Sequence, residues 1–341
     1  MKVSYYDIGI DLGTTNVVIY SPEGELLLRE PSVIAQNVLT GKTIAVGNEA
    51  FTMLGKTPDR IRAVLPMGNG VISDYDMTRE MITYFIKKIY GGKLIKPRVI
   101  ICVPSGITDV ETNAVVGAAT EAGARKVYLI EEPVAAAIGA GLKIGEADGK
   151  IVLDIGGGTS DVAVLSFNGI VCKKSLRVAG RSIDDTIVKH VKNNYRLLIG
   201  MKMAEKAKIE GAAAYPCFGE DETVDVKGRD LQTGLPKRLT VNKNELSRCI
   251  CGDIAEIVKL IRTVLEITPP ELSADISRNG IIMTGGSSQL KGLQELISLE
   301  TRLKVTLAEN PSDCVAMGTA MAFNLLDTLN DGFIKTASCK N

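Results

Sequence analysis

The chain has 341 residues, a length greater than one hydrophobic core usually serves, which predicts two domains or one two-lobed body. Of these residues 45% are hydrophobic and 23% are charged, a balance typical of an ordered globular protein. Lys plus Arg and Asp plus Glu number 40 each, which excludes a global positive field of the kind that attracts nucleic acid. We therefore expect no nucleic-acid partner, and any contact with a membrane has to be local.

Two segments of the chain share one plan: an apolar strand ending in Asp, a Gly/Thr turn, and a second β-branched strand. The first segment is residues 8–20 and the second is residues 151–165. The second copy has one extra turn residue. This repetition predicts a chain built from two similar halves.

Between the two segments, helical patterns alternate with extended ones. Asp76 is a candidate N-cap for a helix that runs through Ile89 to Gly91, and Thr108 and Glu111 have the spacing of a capping box. The other elements predicted here are strands 98–103 and 127–130, a turn at 131–133 and a small-residue helix 134–140. Strands alternating with helices favour α/β halves with mixed sheets.

The second segment is followed by further helices, a strand-rich stretch and a buried strand. The predicted helices are 183–195, 203–210 and 250–265, the strand-rich stretch is 223–241 and the strand is 280–284. Residues 331–341 have no periodicity, which predicts a flexible tail.

Cysteine usage and targeting signals bear on the compartment. The seven cysteines are scattered without CxxC spacing, a pattern typical of free thiols in a reducing compartment and poor in soft metal ligands. The sequence has no signal peptide and no long apolar span, so it predicts a cytoplasmic protein.

The Gly/Thr turns of the two segments have the composition of phosphate-binding loops. Glycine lets backbone N–H groups approach a phosphate closely, and threonine adds hydroxyl donors. Two such turns facing each other would grip a polyphosphate from both sides. Asp11 and Asp154, which precede the turns, offer the oxygen ligands that hydrated Mg²⁺ prefers. The alternative is a pair of ordinary β-hairpins with glycine turns, but the repetition favours a phosphate site.

Three motifs together resemble the superfamily of actin, heat-shock chaperones and sugar kinases. Residues 11–16 are similar to its first phosphate loop, residues 154–159 to its second, and residues 283–287 to its adenosine-contacting turn. Further stretches resemble the MreB family of bacterial cytoskeletal proteins, namely 29–33, 59–70, 129–141, 227–236 and 268–272. The resemblance covers residues 6–325. It implies an α/β, actin-like (ribonuclease H-like) fold of two duplicated mixed-sheet lobes with a nucleotide cleft between them.

The resemblance also implies domain boundaries. The first lobe is expected at 1–145, with a small subdomain at about 33–65. The second lobe is expected at 146–330, with its large subdomain at 146–179 and 245–314 and its small subdomain at about 180–244. Residues 315–330 would pack back on the first lobe, ahead of the tail at 331–341.

By the same resemblance the cofactors are ATP or ADP and Mg²⁺, and the protein is a slow ATPase. Glu132 would orient and activate the attacking water, assisted by Thr159 and Asp154, and Asp11 and Asp154 would hold the metal. The nucleotide would contact Gly13, Thr14, Thr15, Asn16, Gly156, Gly157, Gly158, Thr159, Glu205, Lys208, Gly285, Gly286 and Ser287. Two alternatives stay open: Glu131 and Glu132 merely end a strand before Pro133, and Glu205 and Lys208 form an ordinary surface ion pair.

Several residues depart from the family pattern beside the predicted cleft. Arg181 replaces an acidic residue, residues 201–203 replace Glu-Arg-Thr, Ser160-Asp161 replaces Thr-Glu, and Ser287 replaces a third Gly. We expect these changes to alter ATP affinity and the rate of hydrolysis.

A short loop with Leu94 and Ile95 is flanked by lysines and resembles the MreB loop that enters the membrane. The two apolar side chains would insert while the lysines meet anionic headgroups. The alternative is a helix C-terminus whose cations lie near the negative end of the helix.

The resemblance implies a polymerising cytoskeletal ATPase at the inner face of the cell membrane, which helps to determine cell shape by organising cell-wall synthesis. The expected partners are further copies of the chain, in a filament of double protofilaments, the membrane itself, and membrane-bound cell-shape or wall-synthesis proteins. Two other functions on this fold are a phosphotransferase, for which no sugar-site Asp motif is apparent, and a chaperone ATPase, for which the chain past Leu326 is too short for a peptide-binding domain.

Overall fold

A computed structural model describes residues 7–68, 71–91, 96–105, 107–329 and 333–335. The chain divides into two compact units. The first comprises the described residues of Met1–Asp148, Leu165–Val171 and Asp313–Asn341, and the second comprises Gly149–Val164 and Cys172–Ser312.

The first half of the chain forms ten strands and four helices within its described residues. They are β1 (Ile8–Leu12), β2 (Asn16–Tyr20), β3 (Leu26–Pro31), β4 (Ile34–Asn37), β5 (Thr43–Val46), α1 (Asn48–Met53), β6 (Ile61–Val64), β7 (Met67–Gly68), β8 (Val71–Ile72), α2 (Tyr75–Tyr90), β9 (Arg98–Val103), α3 (Asp109–Glu121), β10 (Lys126–Glu131) and α4 (Glu132–Gly139).

The second half continues with eight strands and six α-helices up to residue 307. They are β11 (Lys150–Ile155), β12 (Ser160–Ser166), β13 (Gly169–Leu176), α5 (Gly180–Tyr195), β14 (Leu197–Leu198), α6 (Met201–Gly211), β15 (Thr223–Asp230), β16 (Pro236–Asn242), α7 (Lys243–Cys249), α8 (Cys251–Ile267), α9 (Pro270–Asn279), β17 (Ile281–Thr284), α10 (Leu293–Thr301) and β18 (Val305–Leu307). A short 3-10 helix, Gly286–Gln289, follows β17.

The main sheets of the two halves have the same topology. In the first, the strands lie in the order β10-β9-β1-β2-β3, and in the second in the order β18-β17-β11-β12-β13. In both sheets the strand that precedes the Gly/Thr turn has its hairpin partner on one side and a parallel strand on the other. The predicted duplication of α/β halves is therefore present in the strand order.

Small sheets and hydrophobic clusters complete each unit. Strands β5-β4-β6 and β14-β15-β16 form separate three-stranded sheets. The first unit packs α2 and α3 on β1, β9 and β10 through side chains such as Phe85 and Met81, while the second packs α5 and α8 around residues such as Ile187 and Ile257. Among the described helices, none is both long and apolar enough to cross a membrane.

The C-terminal segment adds α11 (Cys314–Met321), a 3-10 helix (Ala322–Leu325) and β19 (Phe333–Lys335) to the first unit. The expectation of a tail without regular structure is wrong for 333–335, because β19 pairs antiparallel with β10 and Phe333 stacks on Tyr128. An apolar contact distant in sequence thus orders a strand that local periodicity does not show.

Two helix starts differ from the predictions. Asp74, not Asp76, is the N-cap of α2, and its carboxylate accepts a hydrogen bond from the backbone N–H of Met77 at 3.0 Å. Helix α4 begins at Glu132 with Pro133 in its first turn, where a turn was expected, because proline is well tolerated at a position whose N–H has no helical partner.

The predicted capping box of α3 is confirmed, and it gives a stability prediction. The Thr108 hydroxyl accepts the Glu111 N–H, and the Glu111 carboxylate accepts the Thr108 N–H at 3.0 Å. We expect Thr108→Ala to lower the free energy of unfolding by about 1 kcal/mol, measured by urea denaturation, because an N–H of the first turn loses its acceptor. Val110→Ala is the control: Val110 is 80% exposed in the same turn, and an equal loss there would refute the role of the cap.

Candidate functional site

The first Gly/Thr turn joins β1 to β2 and is held by Ser32. The Ser32 hydroxyl donates to the carbonyl of Gly13, and the Ser32 N–H donates to the carbonyl of Thr15 at 2.9 Å. A Cβ at position 13 would lie 2.6 Å from the carbonyl oxygen of Asn16, so only glycine fits this turn. Gly13, Thr14, Thr15 and Asn16 thus form one tight turn, and Ser32 binds two of its carbonyls, those of Gly13 and Thr15.

Strand register relates Asp11 to the two glutamates. Asp11 pairs with Cys102 of β9, and Cys102 pairs with Ile130 of β10, in parallel strands whose carboxyl ends share one sheet edge. Glu131 accepts a hydrogen bond from the Ser105 hydroxyl at 2.9 Å, whereas Glu132 is the half-buried first residue of α4. Both half-buried glutamates therefore lie at the end of β10, beside the sheet edge that carries the first turn, and Glu131 is bound by Ser105.

The second Gly/Thr turn is attached to α5 and to the 3-10 helix Gly286–Gln289. The Gly156 N–H donates to the carbonyl of Thr159 at 2.9 Å and closes the turn. The Gly156 carbonyl accepts hydrogen bonds from the Gly180 N–H at 3.2 Å and from the Ser287 hydroxyl at 2.7 Å. The carbonyl of Gly157 accepts from the Arg181 N–H at 2.8 Å.

Asp154 is a buried carboxylate at the end of β11. Its side chain accepts a hydrogen bond from the Thr284 hydroxyl at 2.6 Å across the parallel β11–β17 pair. Burial raises the pKa of Asp154 to about 7, and the charge of Asp161 acts in the same direction, while the Thr284 hydroxyl opposes the shift. Burial therefore disfavours the ionised form of Asp154 unless a cation lies nearby.

Lys208 pairs with Asp184, a carboxylate that none of the sequence motifs indicates. Its ammonium lies 2.9 Å from Asp184 of α5 and donates to the carbonyl of Gly180 at 2.9 Å. Burial raises the pKa of Asp184 to about 6, although Lys208 opposes this shift. Glu205, one turn before Lys208 on α6, is exposed. The sequence placed Asp184 in the first turn of the predicted helix 183–195, which in the structure begins earlier, at Gly180.

Arg181, the second residue of α5, is a cation at the positive end of a helix. Burial lowers the pKa of its guanidinium, while Glu205, Asp184 and Asp185 act to raise it. Such a position is unfavourable for a cation unless an anion lies nearby. The carboxylates of Glu205, Asp184 and Asp185 provide negative charge that favours the charged guanidinium of Arg181.

The predicted adenosine turn, residues 283–287, contains Gly285, whose φ of 85° lies in the left-handed region. A Cβ there would lie 2.3 Å from the carbonyl oxygen of Ile155, so the turn needs glycine. The Gly285 N–H donates to the carbonyl of Pro311 at 2.7 Å, and the Ser288 hydroxyl donates to the carbonyl of Gly285 at 2.6 Å. Gly286 is exposed and Ser287 is half-buried.

Each unit brings part of the predicted site together. In the first unit these are Asp11, the turn 13–16 and Glu132, and in the second they are Asp154, the loop 156–159, Lys208 and the turn 285–287. The loop with Leu94 and Ile95 lies outside the described residues. In the part of the chain that the structure describes, no group of three or more His, Cys, Asp or Glu side chains could hold a metal ion. Neither Asp11 nor Asp154 thus belongs to a ready-made carboxylate cluster, and either one, taken by itself, could hold Mg²⁺ only if water or phosphate oxygens completed the metal shell.

Known proteins resemble this chain over nearly its whole length. The family model described as MreB/Mbl protein matches residues 5–331. The cell shape-determining protein Mbl of Bacillus subtilis is 46% identical over 324 residues, covering 95% of this chain and 97% of Mbl. The cell shape-determining protein MreB of Escherichia coli K12 is 44% identical over 327 residues, covering 94% of each chain.

Solved structures of a further relative give the fold. MreB5 of Spiroplasma citri bound to ADP is 34% identical and superposes with a TM-score of 0.88, covering 94% of this chain and 96% of MreB5. The structure of the same protein bound to AMPPNP superposes with a TM-score of 0.85. The fold is therefore actin-like and α/β, as the motifs implied. With a family model that spans nearly the whole chain and relatives of more than 40% identity, this chain belongs to the MreB/Mbl family.

Proposed function

We propose that the chain binds ATP with Mg²⁺ and hydrolyses it slowly, and that the turn headed by Asp11 and the turn headed by Asp154 both contact the nucleotide phosphates. One observation carries this proposal: each unit, taken by itself, has an Asp-headed Gly/Thr turn at the carboxyl edge of a sheet with the same strand order. Support comes from MreB5, whose structures were solved with ADP and with AMPPNP.

The proposed chemistry assigns a separate task to each group. The glycine N–H groups of both turns donate to phosphate oxygens, and the hydroxyls of Thr14, Thr15 and Thr159 supplement them. Mg²⁺, when bound, neutralises charge that develops on the phosphates. Glu132, a half-buried carboxylate, orients the attacking water and accepts its proton. Lys208 and Glu205 contact the ribose and adenine.

We further propose that ATP binding and hydrolysis govern assembly of the chain into filaments of double protofilaments. The relatives named for determining cell shape support a cytoskeletal role. We place this role in the cytoplasm at the inner face of the membrane. There the filaments would organise cell-wall synthesis with membrane-bound partners. Leu94 and Ile95 remain the proposed membrane contact. One short loop binds weakly, so attachment would depend on many copies in one filament.

Sedimentation tests the assembly proposal. We expect the purified chain to pellet with ATP and Mg²⁺, to pellet less with ADP, and to stay in the supernatant without nucleotide, with filaments visible by electron microscopy. Anionic vesicles should co-sediment with the assembled chain, and neutral vesicles should not.

Other outcomes separate the competing functions. Monomers that persist with ATP across protein and salt concentrations would contradict filament formation. ATP turnover that is stimulated by a sugar would favour a phosphotransferase, and turnover stimulated by an unfolded peptide would favour a chaperone. Assembly that does not respond to nucleotide would agree with filament formation but would contradict the proposal that ATP controls it.

A further inference from the structure

Ser287 stands at a position that the resemblance assigns to nucleotide contact, but its hydroxyl proton is already committed. The hydroxyl donates to the Gly156 carbonyl at 2.7 Å. It also fills the space beside Gly180, where a Cβ would lie 2.4 Å from the Ser287 oxygen. A hydroxyl has a single proton to donate, so this group cannot donate to a nucleotide without releasing the phosphate loop.

The Gly156 carbonyl is the acceptor for two donors from different elements. The Gly180 N–H, at 3.2 Å, comes from the start of α5, and the Ser287 hydroxyl comes from the turn after β17. The next carbonyl, of Gly157, accepts from the Arg181 N–H at 2.8 Å. Two successive carbonyls of the loop are thus turned toward α5.

This orientation decides where the loop presents its donors. In a trans peptide the C=O and the N–H point in opposite directions, and no cis peptide bond occurs among the described residues. With the carbonyls of Gly156 and Gly157 held toward α5, the N–H groups of Gly157 and Gly158 face the other side of the loop. Successive N–H groups on one face form a concavity that binds anions.

Glycine peptides rotate easily, so an arrangement of this kind needs to be held. The loop has three consecutive glycines, 156–158. The bond from the Gly180 N–H is long for its type, whereas the bond from Ser287 is close to the most common distance for a hydroxyl donor. Ser287 is therefore the stronger of the two contacts that fix the first of these peptides.

We infer that Ser287 is a positioning residue for phosphate binding: by holding the Gly156 carbonyl, it keeps the Gly157 N–H directed at the nucleotide phosphates rather than contacting the adenosine. This inference rests on the proposed function and changes the role of one of its residues. It also explains what a serine can do at position 287, where glycine is usual in the family: glycine has no hydroxyl that could hold the loop.

The test compares a ligand that has phosphates with one that lacks them. Calorimetry would measure binding of ADP with Mg²⁺ and of adenosine to the wild-type chain and to Ser287→Ala. We expect the affinity for ADP to fall about three- to tenfold, the value of one neutral hydrogen bond, while the affinity for adenosine stays unchanged. Ser287→Gly should behave in the same way, and it provides a second variant if the first does not fold.

The matched control is Ser288→Ala, which removes a hydroxyl from the same turn. Ser288 is buried and donates to Gly285, not to the phosphate loop. We expect it to lower the melting temperature but to leave the ratio of ADP affinity to adenosine affinity unchanged. Equal losses for both ligands in Ser287→Ala would place Ser287 at the adenosine, and no loss would remove its role; either result overturns the inference. A wild-type chain that binds no ADP would instead contradict the proposed function.

Discussion

Replacing Glu132 by Gln is expected to slow the release of phosphate from ATP by about 100-fold or more, because a general base commonly contributes this much to a hydrolysis rate. Glutamine has the same shape but cannot accept the proton of the attacking water. Binding of ATP should be nearly unchanged, because Glu132 is assigned to the water and not to the phosphates. A single-turnover assay of phosphate release, together with calorimetry of ATP binding, separates the two quantities.

The adjacent glutamate gives the matched control for this experiment. Glu131 ends β10 and accepts the Ser105 hydroxyl at 2.9 Å, a bond that the amide oxygen of Gln preserves. Turnover of Glu131→Gln should therefore stay close to that of the wild type. If Glu131→Gln slows turnover as much as Glu132→Gln, or if neither variant does, the catalytic role of Glu132 is refuted.

Replacing Gly318 by Ala is expected to lower the free energy of unfolding by about 3 kcal/mol or more, a larger loss than we expect for Thr108→Ala. Helices α4 and α11 cross here at backbone contact. A Cβ at Gly318 would lie 1.8 Å from the carbonyl oxygen of Ala135, and one at Gly139 would lie 1.8 Å from the carbonyl oxygen of Cys314. Backbone atoms cannot rotate away as a flexible side chain can, so an added methyl forces the helices apart.

Urea denaturation followed by circular dichroism measures this loss, with the slope of the transition compared between variants. The control is Gly252→Ala in the first turn of α8, where a Cβ meets no atom within 4 Å and the backbone does not adopt a positive φ. Alanine at such a helical position should raise stability by about 0.5 to 1 kcal/mol. Equal stability of Gly318→Ala and the wild type would show that the helices do not cross this closely.

Local sequence signals were sufficient for much of the fold. The capping box at Thr108 and Glu111 is confirmed because both of its bonds join residues three positions apart. The repeated strand-turn-strand segments are confirmed because an apolar strand, a glycine turn and a second β-branched strand specify a hairpin by themselves. The error at Asp76 had a local cause too, since Asp74 offers the same capping group two residues earlier.

Contacts between residues far apart in the chain could not be predicted from the sequence pattern. Nothing in the spacing of Ser287 indicates a bond to Gly156, which is 131 residues away in the chain. The pairing of Lys208 with Asp184 across α5 and α6, and of β19 with β10, depends likewise on how elements pack. The glycine crossing of α4 and α11 likewise joins residues from the middle of the chain to residues near its C-terminal end.

The sequence by itself determined the actin-like class, the two Asp-headed turns and most of the candidate ligands, because each is written in a contiguous run of residues. Only the tertiary structure decided which donors hold those turns, which of Glu131 and Glu132 is engaged by Ser105, and what environment surrounds Asp154. The physical reason is that the orientation of a peptide and the burial of a side chain depend on neighbouring strands and helices. Local sequence patterns do not show which distant elements become those neighbours.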